Sequence, residues 1–103
     1  MSRLFLKPRY LDMLLEIFRN YCPNAEIWAY GSRISGEAHE ASDLDLVVKS
    51  FNDSSKNIYE LKELVNNSDI PIIVDILDYN NIPESFQKEI EKNYIVIFGA
   101  EKV

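Results

Sequence analysis

The stretch that decides the fold is "AYGSRISGEAHEASDLDLVV", Ala29 to Val48. It opens on a Gly-Ser turn at Gly31 and Ser32 and closes on an apolar run interrupted by Asp43 and Asp45. Strand side chains alternate faces, so Asp43 and Asp45 share one face while Leu44 and Leu46 share the other. Two like charges held a few ångström apart repel, and the pair adds nothing to packing. The pair admits two readings. One is an exposed edge alternation with both aspartates in water. The other is a divalent cation, which makes both charges favourable at once; Mg²⁺ prefers hard oxygen ligands of this kind.

The flanking sequence supplies the rest of a domain. Upstream, Pro8 suits a helix start, and Leu11, Leu14, Leu15 and Phe18 follow helical spacing. "CPN" at 22–24 ends that helix, and "EIWAY" before the turn reads as a strand. Downstream, "NDSS" offers a turn with capping chemistry. Ile58, Leu61, Leu64 and Val65 then mark a second helix. "PIIVDILD" is apolar on both faces and predicts a central strand. Asn81-Ile82-Pro83 opens a last helix with Phe86 and Ile90 inward. "NYIVIF" fits either a strand or the tail of that helix. This order predicts an α+β (α/β) sandwich: a small sheet covered by helices.

Asp75 stands in the middle of "IIVDILD", where a β-branched residue would be the simple choice. An ionised carboxylate in a buried strand is costly unless paired or metal-bound. If that strand lies beside "DLDLVVK", Asp75 joins the face of Asp43 and Asp45, and three carboxylates make a site for two Mg²⁺ ions. Alternatively, Asp75 pairs with a nearby lysine or arginine. Asp78 suits a turn.

Glycine permits positive φ and close backbone approach. A helix start presents unpaired N–H groups, a natural seat for phosphate. Ser32 adds a hydroxyl, and Arg33 a planar fork for phosphate oxygens. A Gly-Ser pair alone is common loop punctuation. Here ten residues separate Ser32 from Asp43, which sets a phosphate seat opposite a metal site.

That combination resembles the signature of the nucleotidyltransferase superfamily that contains DNA polymerase beta. More closely, the chain is similar to the minimal nucleotidyltransferases of the MNT or MntA type, over nearly its whole length. The resemblance implies a mixed-sheet palm with helices packed on it. It implies that Gly31 and Ser32, with Arg33, hold the triphosphate, that Asp43 and Asp45 bind Mg²⁺, and that Asp75 completes the metal site and helps deprotonate the acceptor hydroxyl. The reaction implied is transfer of AMP from ATP with pyrophosphate leaving. The partner implied is a HEPN-domain toxin, adenylylated on a tyrosine and bound as a hetero-oligomer by the chain acting as antitoxin. Two other readings stand beside it: a non-catalytic palm that neutralises its partner by contact, and a transferase for a small hydroxyl-bearing molecule of the aminoglycoside kind.

Composition narrows the field. The chain has 103 residues, 47% hydrophobic and 27% charged, and reads as one domain spanning 1–103. Seventeen acidic residues against 11 basic ones give a net charge of −6. That argues against tight nucleic-acid binding, which calls for a basic stripe; the only basic cluster is Arg3, Lys7 and Arg9. Cys22 is the sole cysteine, which fits a reducing compartment. No stretch reaches membrane-spanning length, so the expected location is the cytoplasm. The resemblance implies that larger relatives append domains for template, tRNA or small-molecule acceptors, whereas the elements read here use up the chain, so a partner is expected to bring the acceptor. His39, Glu37 and Glu40 read as solvated loop residues and Gly36 as the end of a helical turn; Trp28 and Tyr30 alternate with Ile27 and Ala29, so that one pair packs in the core and the other approaches a helix or the nucleotide.

Overall fold

The computed structural model describes residues 4–35 and 43–99. Its elements run α1 (Pro8–Tyr21), β1 (Glu26–Tyr30), α2 (Ser32–Ser35), β2 (Leu44–Ser50), α3 (Ile58–Asn66), β3 (Val74–Asp78), a 3₁₀ turn (Tyr79–Asn81), α4 (Glu84–Lys92) and β4 (Ile95–Phe98). The C-terminal apolar run is a strand. The four strands form one mixed sheet in the order β3-β2-β1-β4. β1 pairs antiparallel with β2 and β4, and β2 pairs parallel with β3. This is an α+β palm.

β3 is an edge strand, not the central strand its composition suggests. Among the described residues only β2 pairs with it, and the residue leading into it, Ile73, is 68% exposed. The long apolar run reads as central because "PII" belongs to the approach to the strand rather than to the strand itself.

Alternation divides the sheet. Ile27, Ala29, Leu44, Leu46, Val48 and Ile76 form one face, packed against Leu14 and Phe18 of α1 and Ile58, Leu61 and Val65 of α3. α1 starts on Pro8 without a side-chain cap. α3 starts on Asn57, whose side chain accepts from the Glu60 amide at 2.9 Å. The expected capping chemistry of "NDSS" is a local turn, where Asp53 Oδ1 accepts from the Ser55 amide at 3.0 Å.

The opposite face carries Trp28, Val47 and Leu77, covered by Ile90 and Phe86 of α4. Tyr94 stacks on Trp28 at 4.0 Å between ring centroids. Asp78 accepts from the Asn80 amide at 3.1 Å and caps the 3₁₀ turn. Asp45 and Asp75 share the strand parity of Val47 and Leu77, so both lie on this second face. No helix among the described residues is long and apolar enough to cross a membrane.

Candidate active site

Three strands bring the site together in one row. In register, Tyr30 of β1 stands opposite Asp45 of β2, and Asp45 stands beside Asp75 of β3. Neighbouring strands are about 4.8 Å apart, so the two carboxylates are held close by backbone pairing alone. Asp43 immediately precedes β2 and is exposed. Asp75 is exposed as well, because its strand is at the edge. The cost of burying charge therefore falls on Asp45, which is half-buried.

Asp45 bears the electrostatic consequence. Burial, then the charges of Asp75 and Asp43, hold its carboxyl above the ordinary carboxylate range. Burial, then the charges of Asp45 and Asp75, also push the Tyr30 phenol up. Among the described residues no lysine or arginine forms an ion pair with Asp43, Asp45 or Asp75. Nor do three acidic, histidine or cysteine side chains among those residues close into a complete metal-ligand set. The donors nonetheless suit Mg²⁺. They are hard carboxylate oxygens on adjacent strands, close enough to perturb one another and without a protein counter-ion among the described residues.

The Gly-Ser turn is fitted to that carboxylate. Gly31 has φ +85°, a left-handed backbone that side chains disfavour. A Cβ at this position would lie 2.4 Å from Asp45 Oδ2. Glycine here lets the turn pass directly over the carboxylate, with Ser32 and α2 following it in the chain. The Ile34 amide donates to the Gly31 carbonyl at 3.1 Å and closes that first turn.

Arg33 sits elsewhere than the sequence reading expected. It is 3% exposed, and its Nη1 donates to the Phe5 carbonyl at 2.6 Å. Its guanidinium lies over the Phe5 ring at 5.5 Å, and the Phe5 amide donates back to the Arg33 carbonyl at 2.7 Å. Arg33 thus ties the segment before α1 to the helix that follows the Gly-Ser turn. Its fork is drawn to a backbone carbonyl because a buried guanidinium needs acceptors. Arg33→Met is expected to lower stability by about 1.5–3 kcal/mol, the range for a hydrogen bond to a charged group. Chemical denaturation checks this. A Tm that holds while nucleotide affinity falls would return Arg33 to the phosphate.

A groove of about 330 Å³ opens beside the turn, lined by Tyr30, Ser32, Phe86, Glu89 and Asn93 among others. The sequence reading turned Phe86 inward; it is half-buried, with its ring edge-to-face on Tyr30 at 5.9 Å. The α4 spacing of Phe86, Glu89, Ile90 and Asn93 is the signal that marks this wall. The sole cysteine, Cys22, is buried, its thiol pushed up to about 11 by burial, so it is no ready nucleophile. His39, Glu37, Glu40, Gly36 and Arg3 lie outside the described residues.

Comparison with known proteins shows the family of the chain. Residues 13–102 match the family described as "Polymerase beta, Nucleotidyltransferase". The chain is 36% identical over 102 residues to a Haemophilus influenzae protein described as probable protein adenylyltransferase MntA, covering 98% of this chain and 90% of that one. A solved structure, described as a toxin-antitoxin with AMP-PNP, shares the fold with a TM-score of 0.69 at 22% identity, over 88% of this chain and 74% of that one. With the family matched across most of its length, the chain belongs to the polymerase beta nucleotidyltransferases and is a minimal nucleotidyltransferase of the MntA type.

Proposed function

We propose that the protein transfers AMP from ATP to a tyrosine hydroxyl of a HEPN-domain toxin, and so acts as that toxin's antitoxin in a hetero-oligomer in the cytoplasm. The observation that carries the reading is the register pair Asp45 and Asp75 under the Gly31 turn. The Haemophilus influenzae relative described as an adenylyltransferase, and the fold shared with a toxin-antitoxin structure holding AMP-PNP, support it.

In this reading the triphosphate lies along Gly31, Ser32 and the first amides of α2. Asp43, Asp45 and Asp75 are the residues that would hold Mg²⁺. When bound, Mg²⁺ supplies charge neutralisation for the attacking and leaving oxygens. The acceptor tyrosine oxygen attacks the α-phosphorus of ATP, forming a new P–O bond. The bond from that phosphorus to the β-phosphate oxygen breaks, and pyrophosphate leaves. Asp75 accepts the tyrosine proton on its carboxylate. Its exposure at the sheet edge leaves it open to an acceptor arriving from a partner. The chain's part is positioning and electrostatics, as in other phosphoryl-type transfers.

The test is labelling of the partner with ATP radiolabelled at either the α- or the γ-phosphate. Label from the α-position only, lost with EDTA and mapped to tyrosine, is the expected result. Inhibition of the toxin with no label transferred would favour a contact-only antitoxin.

A further inference from the structure

A second groove opens between the start of α1 and the segment that leads into β3. Phe5, Lys7 and Tyr10 line it from the first part of the chain, Pro71 and Ile72 from the approach to β3, and Arg33 from α2. Its volume of about 460 Å³ falls within the roughly 300–1,000 Å³ typical of ligand sites. Phe5 is 47% exposed there, and Ile73, next in the chain after Ile72, is 68% exposed. Exposed apolar area gathered at a groove marks an interaction surface. The groove leads to the carboxylate row. The Leu44 amide donates to the Ile73 carbonyl at 2.9 Å, which ties the approach to β3 to the residue after Asp43. Asp75 follows Ile73 by two positions and is exposed at the sheet edge.

The charge of the groove is opposite to that of the chain. Acidic residues outnumber basic ones by 17 to 11 in the sequence, yet no carboxylate is among the described residues that line the groove. Arg33 is buried, with its Nη1 on the Phe5 carbonyl. Lys7 is exposed and forms no ion pair among the described residues. The first turn of α1 carries no acidic residue, so the positive end of that helix adds to Lys7. We propose that this groove docks the segment of the partner toxin that carries the acceptor tyrosine. That segment has an apolar side chain to lie against Phe5 and Ile72 and an acidic one to meet Lys7. The proposal deepens the nucleotidyl-transfer reading and rests on it, since a segment held here delivers its tyrosine past Ile73 to Asp75. The apolar anchor supplies affinity, and the charge fixes which way the segment runs.

The test has two arms, each run on the wild type, Phe5→Ala and Lys7→Glu. The first is fluorescence anisotropy, without nucleotide, of tyrosine peptides flanked by leucine and glutamate, by leucine and lysine, or by serine and glutamate. The wild type is expected to prefer the leucine-glutamate peptide about fivefold over the lysine one, the scale of an exposed ion pair. It is expected to prefer it about tenfold over the serine one, the scale of one buried apolar anchor. Lys7→Glu inverts the first preference, and Phe5→Ala removes the second. Lys7→Glu alters an exposed side chain and carries the test should Phe5→Ala fail to fold. The second arm is labelling of the toxin with α-labelled ATP, where both variants raise the KM for toxin about fivefold or more and leave the KM for ATP unchanged. Equal binding of the peptides by the wild type overturns the proposal, and so does an unaltered preference in Lys7→Glu. A wild-type dimer in sedimentation that Phe5→Ala dissociates, with no peptide bound, overturns it in favour of a second copy of the chain. Label that reaches the toxin at the wild-type KM in both variants overturns the docking proposal alone. No label from the wild type overturns the nucleotidyl-transfer reading, which separates the two failures.

Discussion

Asp45→Asn is expected to abolish nucleotidyl transfer, by about three orders of magnitude or more, and to leave the chain folded and more resistant to heat at neutral pH. The loss follows from removing the charge at the centre of the row Tyr30, Asp45, Asp75. Charge stabilisation of this kind is worth several kcal/mol in the transition state. The gain in stability follows from the direction of the Asp45 shift. Burial and the neighbouring Asp75 and Asp43 raise its folded-state pKa above the unfolded value. A carboxyl shifted that way favours folding while protonated, and the benefit is lost as pH rises through its folded pKa. At neutral pH the charged Asp45 opposes folding, and asparagine removes the opposition. The advantage of Asp45→Asn is therefore expected at pH 7 and expected to vanish in acid below the ordinary carboxylate range. Thermal melts at both pH values check the sign. Added Mg²⁺ should stabilise the wild type and not the variant, since a ligand stabilises only the state that binds it. A variant that transfers AMP at the wild-type rate would remove Asp45 from the chemistry.

Gly31→Ala is the second large effect, and it acts on stability and activity by separate routes. The φ of +85° costs a side-chain residue about 1–2 kcal/mol, and this part is independent of Asp45. The new methyl would also stand 2.4 Å from Asp45 Oδ2. That oxygen is at the end of a side chain, so the carboxylate swings aside rather than the backbone giving way. Displacement of about 1 Å at a reacting centre costs on the order of a hundredfold in rate. The double variant Gly31→Ala/Asp45→Gly separates the routes. It relieves the contact, keeps the backbone strain and stays inactive. Wild-type kinetics in Gly31→Ala would contradict the close fit of turn and carboxylate.

The sequence carried the chemistry further than the architecture. The register of Asp45 with Asp75 and the glycine at the turn beside them were legible, because no packing requirement explains a paired acid in an apolar strand. The strand parity that places Asp45 and Asp75 on one face follows from alternation alone. The position of β3 did not follow. Apolar runs mark burial, and "PIIVDILD" is apolar partly because Ile72 and Val74 pack against the core near the strand's entry. Such packing is indistinguishable in sequence from a strand flanked on both sides. Arg33 illustrates a different limit. Next to a Gly-Ser turn an arginine reads as a phosphate ligand, yet its guanidinium meets Phe5, 28 residues earlier in the chain. No local pattern encodes a contact at that separation. The same holds for the α4 wall, which becomes a wall only when Phe86 meets Tyr30 across the groove.

The most direct measurement is an anomalous difference map from crystals grown with Mn²⁺ and a non-hydrolysable ATP analogue. Manganese peaks on the Asp45 and Asp75 carboxylates, with the analogue's phosphates beside Gly31 and Ser32, are the expected result. Crystals with the analogue bound elsewhere, or with no metal at Asp45 and Asp75, would contradict the account.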